Sequence, residues 1–170
     1  MAILVSDTSV LIELERGGLL EPAFSFDLIM VVPDLLYQYE IEEENGPYLR
    51  TLGLGVVSLT PDEVALAQTI REQRPALSLP DCFALSCALR QDHVLVTGDQ
   101  KLKNEARARN AKVCGMLWIL DQMELSGKFS FNLLYEGLSR ISAHQRCRLP
   151  KDEVDARLVR WLQLISGPGL

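Results

Sequence analysis

Asp7, Glu40, Asp81 and Asp99 are the residues of this chain whose types and settings point most directly to chemistry. Asp7 follows an apolar run in Asp7-Thr8-Ser9, Asp81 opens a helical segment in Leu79-Pro80-Asp81, and Asp99 ends a strand-like run in Thr97-Gly98-Asp99. Carboxylates brought close together oppose one another's ionisation unless a cation neutralises them. An all-oxygen donor set suits Mg²⁺ or Mn²⁺ rather than zinc or copper. The four acids together predict a hard-metal site.

Each acid also has a plain structural use. Asp81 can favour the dipole of a helix from its first turn, Asp99 can cap a helix, and Asp7 can form a turn. Asp7 is the costliest to explain in that way, because an acid directly after a buried strand is desolvated. Glu40 competes with Glu42, Glu43 and Glu44; helical phase, one turn after Leu36 and next to Tyr39, favours Glu40. Asp62 belongs to the helix start Thr60-Pro61-Asp62-Glu63 and is left out of the site.

The elements that must position these acids alternate. Ala2 to Ser6, Leu28 to Val32, Val56 to Leu59, a run from His93 ending at Thr97, and Lys112 to Gly115 read as short strands. Between them, a helical face starts at Val10, Leu11 and Leu14 and stops at Gly17-Gly18. A helix runs from Pro33 to about Glu44 on a stripe of Leu35, Leu36 and Tyr39, with Asn45-Gly46-Pro47 as its terminator. Further helices open at Thr60 and at Ser78, and another runs from Asp99 to about Asn110. Strands alternating with helices predict a three-layer α/β fold around a parallel sheet, whose ligands bind off the carboxyl ends of the strands, where Asp7 and Asp99 stand.

Residues 117–127, 130–142 and 150–165 read as helices beyond that unit. On the last, Val154, Leu158, Trp161, Leu162 and Ile165 recur at helical spacing and predict burial on the same chain or in a homodimer. The expected organisation is a domain over residues 1–127 and a helical extension over 128–170.

With 170 residues, 48% hydrophobic and 24% charged, the chain has the composition of one soluble globular domain rather than a disordered one. No apolar run reaches membrane-spanning length and no secretory leader is visible, so a cytoplasmic location without membrane contact is expected. The net charge of −6 argues against broad, charge-driven duplex binding. Lys101, Lys103, Arg107, Arg109 and Lys112 nonetheless form a basic stretch right after Asp99. Cys82, Cys87, Cys114 and Cys147 lack metal-ligand spacing and read as core thiols, and neither His93 nor His144 has an evident orienting partner.

Taken in order, these stretches resemble the PIN-domain ribonuclease family. Val5-Ser6-Asp7-Thr8-Ser9-Val10-Leu11-Ile12 is similar to its first strand and acid, and Pro33 through Glu40-Ile41 to the helix with the second acid. Leu79-Pro80-Asp81-Cys82-Phe83-Ala84-Leu85-Ser86-Cys87-Ala88 and Val94-Leu95-Val96-Thr97-Gly98-Asp99 resemble the third and fourth motifs. The likeness covers residues 1 to about 120. It implies a metal-dependent endoribonuclease with Asp7, Glu40, Asp81 and Asp99 converging as catalytic metal ligands. One Mg²⁺ or Mn²⁺ would be held mainly by Asp7 and Asp99, and a second through Asp81 or Glu40. Thr8, Ser9 and Thr97 enter as supporting residues, and Lys101 and Lys103 as candidates for substrate phosphate.

Many members of that family are VapC-like toxins silenced by a small antitoxin protein, so RNA and such a protein are the expected partners. Two departures stand out: Lys101 occupies a place where some members carry a further acid, and the helices after residue 127 exceed the minimal domain. A PIN fold that binds RNA or protein without cutting is the alternative reading. A phosphotransfer enzyme with an aspartyl-phosphate at Asp7 ranks lower, since Ser9 stands where a second acid would be needed, and no glycine-rich phosphate loop occurs.

Overall fold

Strands covered on both faces need continuous apolar runs, and the chain supplies them at β1 (Ile3–Ser6), β2 (Ile29–Pro33) and β4 (His93–Val96). The computed structural model describes residues 2–167, so Met1 and residues 168–170 of the expected extension lie outside it. With β3 (Gly55–Val57) and β5 (Val113–Cys114) these strands form an all-parallel sheet in the order β3-β2-β1-β4-β5. The winding direction reverses between β1 and β4, where Val5 pairs with Leu95 and Ser6 with Val96. A crevice therefore opens beyond the carboxyl ends of these two central strands.

Helices cover both faces, completing the three-layer α/β arrangement. Those next to the crevice begin at polar caps. Asp7 caps α1 (Thr8–Arg16) by accepting from the Val10 amide, and Asp99 caps α7 (Gln100–Ala108) by accepting from the Leu102 amide. Reciprocal capping boxes open α5 (Pro61–Gln73) at Thr60 and Glu63, and α6 (Leu79–Ala88) at Ser78 and Asp81.

The segment after β2 differs from the single helix expected from Pro33 to Glu44. It is a short turn, α3 (Asp34–Leu36), followed by a π-helical turn over Tyr37–Ile41, in which the Glu42 amide donates to the Tyr37 carbonyl at 2.8 Å. The wider turn changes the buried phase: Tyr37 and Ile41 enter the core, while Tyr39, expected on the apolar stripe, is exposed and stacks parallel to Phe83. Two short helices were missed, α2 (Leu20–Phe24) and α4 (Gly46–Leu52). In both, a proline sits in the first turn, Pro22 and Pro47, where its missing N–H costs nothing; Asn45-Gly46-Pro47 thus opens a helix rather than only ending one.

Past β5 come α8 (Met116–Ser126), α9 (Phe131–Ala143) and α10 (Lys151–Ser166). Helix α9 packs on α1, and its Gly137 lies against the segment that follows α1: a Cβ there would meet the buried Leu19 side chain at 2.5 Å, so Leu19 would have to move. Helix α10 lies against α9, burying Val154 and Trp161. Its buried seam is narrower than the predicted stripe, since Leu162 and Ile165 are exposed; one neighbouring helix covers less than a full apolar face. Arg157 forms a two-pronged pair with Asp121 at 2.7 and 2.6 Å, tying α10 to α8. Cys82 and Cys87 are core thiols, whereas Cys114 and Cys147 are only partly buried. Among the described residues no helix is long and apolar enough to cross a membrane.

Trp161 is fully enclosed, so Trp161→Asp should cost at least the roughly 3–5 kcal/mol typical of truncating a buried tryptophan, plus the desolvation of an unpaired charge. Thermal or denaturant unfolding measures it; a variant as stable as wild type would show that α10 is not anchored through this side chain.

Candidate active site

The crevice at the β1–β4 switch is a cleft of about 700 Å³. Asp7, Glu40, Asp81 and Asp99 line it together, from the end of β1, the π-turn, the first turn of α6 and the cap of α7 respectively. Of the acidic block, Glu40 lines it and Glu42, Glu43 and Glu44 do not.

Asp7 is the most constrained of the four. Only 3% exposed, its carboxylate accepts from the Ser9 hydroxyl at 2.9 Å, from the Val10 amide at 3.0 Å and from the Thr97 hydroxyl. Burial, opposed by those donors and reinforced by the charge of Asp81, pushes its pKa up to about 6. Thr97 is fully buried behind the cleft and couples two acids, since its oxygen also accepts from the Asp99 amide at 3.0 Å. Thr8 donates to Glu40, fixing the π-turn acid against the start of α1. Asp81 accepts from the Ser78 amide at 3.2 Å, and Asp99 is reached by Arg148 at 3.4 Å.

Of the two lysines expected at substrate phosphate, Lys103 lines the cleft and Lys101 does not. Lys101 borders a separate depression with Arg74 and Asn104. Two residues apart on a helix lie about 200° around its axis, so the pair cannot share a face.

Other lining residues had not been singled out. Glu13 stands one turn beyond Ser9 on α1, a spacing that marks the same face; one of its carboxylate oxygens is buried without a hydrogen-bond partner. Burial first, then the charge of Asp7, raises its pKa. Arg146 and Arg148 enter from the connection between α9 and α10, and Trp118 from the first turn of α8. Their sequence signal was an Arg-x-Arg pair ahead of Pro150, too far from the acids in the chain to be associated with them.

The donor set fits a hard divalent cation in kind. It is all oxygen, and it holds a buried acid whose ionisation is opposed by desolvation and by its neighbours, as well as an orphaned carboxylate oxygen. Among the described residues no three such groups are gathered closely enough to enclose an ion, and Asp7, Asp81 and Asp99 are each engaged by a local backbone amide. An ion would compete with Arg148 for Asp99 and with the Ser78 amide for Asp81.

The model of a family described as a PIN domain matches residues 3–163. No curated protein matches the chain.

The site carries its own pH signature. The folded metal-free protein keeps the Asp7 proton up to about 6, whereas the unfolded chain releases it near 3.8. The native state thus binds the extra proton in this window, and stability falls as pH rises through it. In chelator at pH 7, Asp7→Asn should be more stable than wild type by roughly 1–3 kcal/mol, with the gap closing below about pH 4. Mn²⁺ at about 100 times its dissociation constant should return roughly 2.7 kcal/mol to wild type and far less to Asp7→Asn/Asp99→Asn. Melting curves across this pH range test both; a wild type that gains on the variant as pH rises, or ignores the metal, contradicts them.

Proposed function

The chain belongs to the PIN-domain family, whose members are generally nucleases that use divalent metal ions, and from that premise we propose that it is a Mg²⁺- or Mn²⁺-dependent endoribonuclease. The supporting observation is that carboxylates from four separate elements line one cleft at the sheet's switch point, with Asp7 buried at its base. The narrower role, a toxin restrained by a small antitoxin protein, belongs to the same proposal.

Asp7, Asp81 and Asp99 would hold the ion, with Glu40 as the fourth acid. A bound divalent ion supplies Lewis acidity toward the phosphate and a water that ionises near neutral pH. The protein's part is orientation. Ser9, the Val10 amide and Thr97 fix the Asp7 carboxylate from three sides, so its ionised form is held in one pose. Through its second hydrogen bond Thr97 sets the backbone that carries Asp99. Thr8 keeps Glu40 at the cleft.

Substrate phosphates would be met by Lys103, Arg146 and Arg148, replacing the expected pairing of Lys101 with Lys103. The exposed Arg148–Asp99 contact is weak enough to yield when a phosphate or an ion arrives. Hydrolysis by water attacking phosphorus in line with the leaving oxygen requires no group on the sugar.

Asp7→Asn and Asp81→Asn, nearly isosteric, should each lower metal-dependent cleavage of a labelled RNA by at least about a hundredfold while leaving the protein folded. Thr97→Val, which touches the acids without joining them, should cost about 10- to 100-fold. Gel assays with Mn²⁺, alongside circular dichroism, decide: wild-type rates in either aspartate variant would remove the cleft from the chemistry.

A further inference from the structure

The acids occupy only part of the cleft. Apolar side chains also line it, Met116, Leu117 and Trp118 at the start of α8 and Leu149 and Pro150 ahead of α10, beside Asp121 of α8 and Glu153 and Arg157 of α10. Among the described lining residues Trp118 is the one aromatic ring, and it is 36% exposed. A large, partly exposed indole beside a polar site forgoes burial unless a ligand covers it. Arg146 and Arg148 line the same cleft. Arg146 makes no ion pair among the described residues, whereas Arg157 nearby is neutralised by Asp121.

The cleft therefore brings together an exposed indole, the Arg146 guanidinium without an ion pair among the described residues, and the four acids. A nucleotide has the complementary parts: an aromatic base to lie on the ring, a phosphate for the arginines, and a backbone that extends to the acids. We propose that Trp118 is the platform of a nucleobase subsite in which one base of the substrate stacks, with Arg146 and Arg148 holding the adjoining phosphates. The subsite rests on the nuclease reading for its ligand, yet it concerns binding and is measured apart from cleavage. It is built wholly from residues beyond β5, so the C-terminal part of the chain forms part of the substrate site.

The experiment is fluorescence anisotropy of a short dye-labelled single-stranded RNA with the full chain, in chelator and again with Ca²⁺, beside an abasic oligomer of the same length. Trp118→Ala should weaken RNA binding about 5- to 150-fold, the weight of one base–aromatic stack. Trp118→Phe should restore most of it, and the abasic oligomer should bind wild type and Trp118→Ala alike. Melting curves confirm that each variant is folded. Equal RNA affinity of wild type and Trp118→Ala, Trp118 dependence that survives on the abasic oligomer, or no RNA binding in either buffer would overturn the subsite. Base-dependent binding without cleavage under Mn²⁺ would sink the nuclease reading and leave the subsite standing. Cleavage with an unchanged KM in Trp118→Ala would do the reverse.

Discussion

A carboxylate sealed at the end of the first strand is the constraint on which the rest of this structure turns. Asp7 is almost wholly withdrawn from water, and that burial raises its pKa to about 6. That charge is tolerated because three donors converge on it and because it caps α1, whose amino-terminal dipole favours an anion. The sheet order supplies one of those donors. With β4 directly beside β1, Thr97 is delivered against Asp7 from a position ninety residues later. The same hydroxyl then steadies Asp99, so two strands and two helix starts meet at one oxygen atom.

The C-terminal helices are integral to this arrangement. Helix α9 presses on α1, the element that Asp7 caps, and its Gly137 lies tight against Leu19 just beyond that helix. Helix α10 is braced to α8 by the Arg157–Asp121 pair and by Arg160 on Glu124. The first of these pairs is largely shielded from solvent and geometrically fixed, which distinguishes it from the exposed Arg148–Asp99 contact. A fixed pair at Arg157 and Asp121 and an exchangeable one at Arg148 and Asp99 thus line the same cleft.

Much of this was legible in the sequence because it rests on local signals. Strand-to-acid junctions at Asp7 and Asp99, and the capping sequences at Thr60 and Ser78, each carry their structure within a few residues. What escaped depended on geometry that spacing alone does not carry. Pro22 and Pro47 read equally as stops and as starts. Lys101 and Lys103 looked like a pair until the helix turned them apart. Glu13 was hidden among ordinary surface acids, and Arg146, Arg148 and Trp118 reach the cleft only through the packing of α8, α9 and α10. The acids announced themselves, while the residues that share their cleft from beyond β5 did not.

The π-turn carries one last implication, for chain length. A helix that spends an extra residue on one turn presents everything after it about 100° out of step with an α-helix of the same sequence. Glu40 lies inside that turn, and its place in the cleft is therefore a matter of counting. Deleting Gln38 or Tyr39 would let the segment relax to ordinary α-helical winding without removing any acid from the chain. The block Glu40, Glu42, Glu43 and Glu44 would rotate as a unit, and the cleft would be offered a different member of it. Loss of one codon and substitution of one side chain would thus be distinct injuries here, the first altering which acid is presented and the second whether there is one.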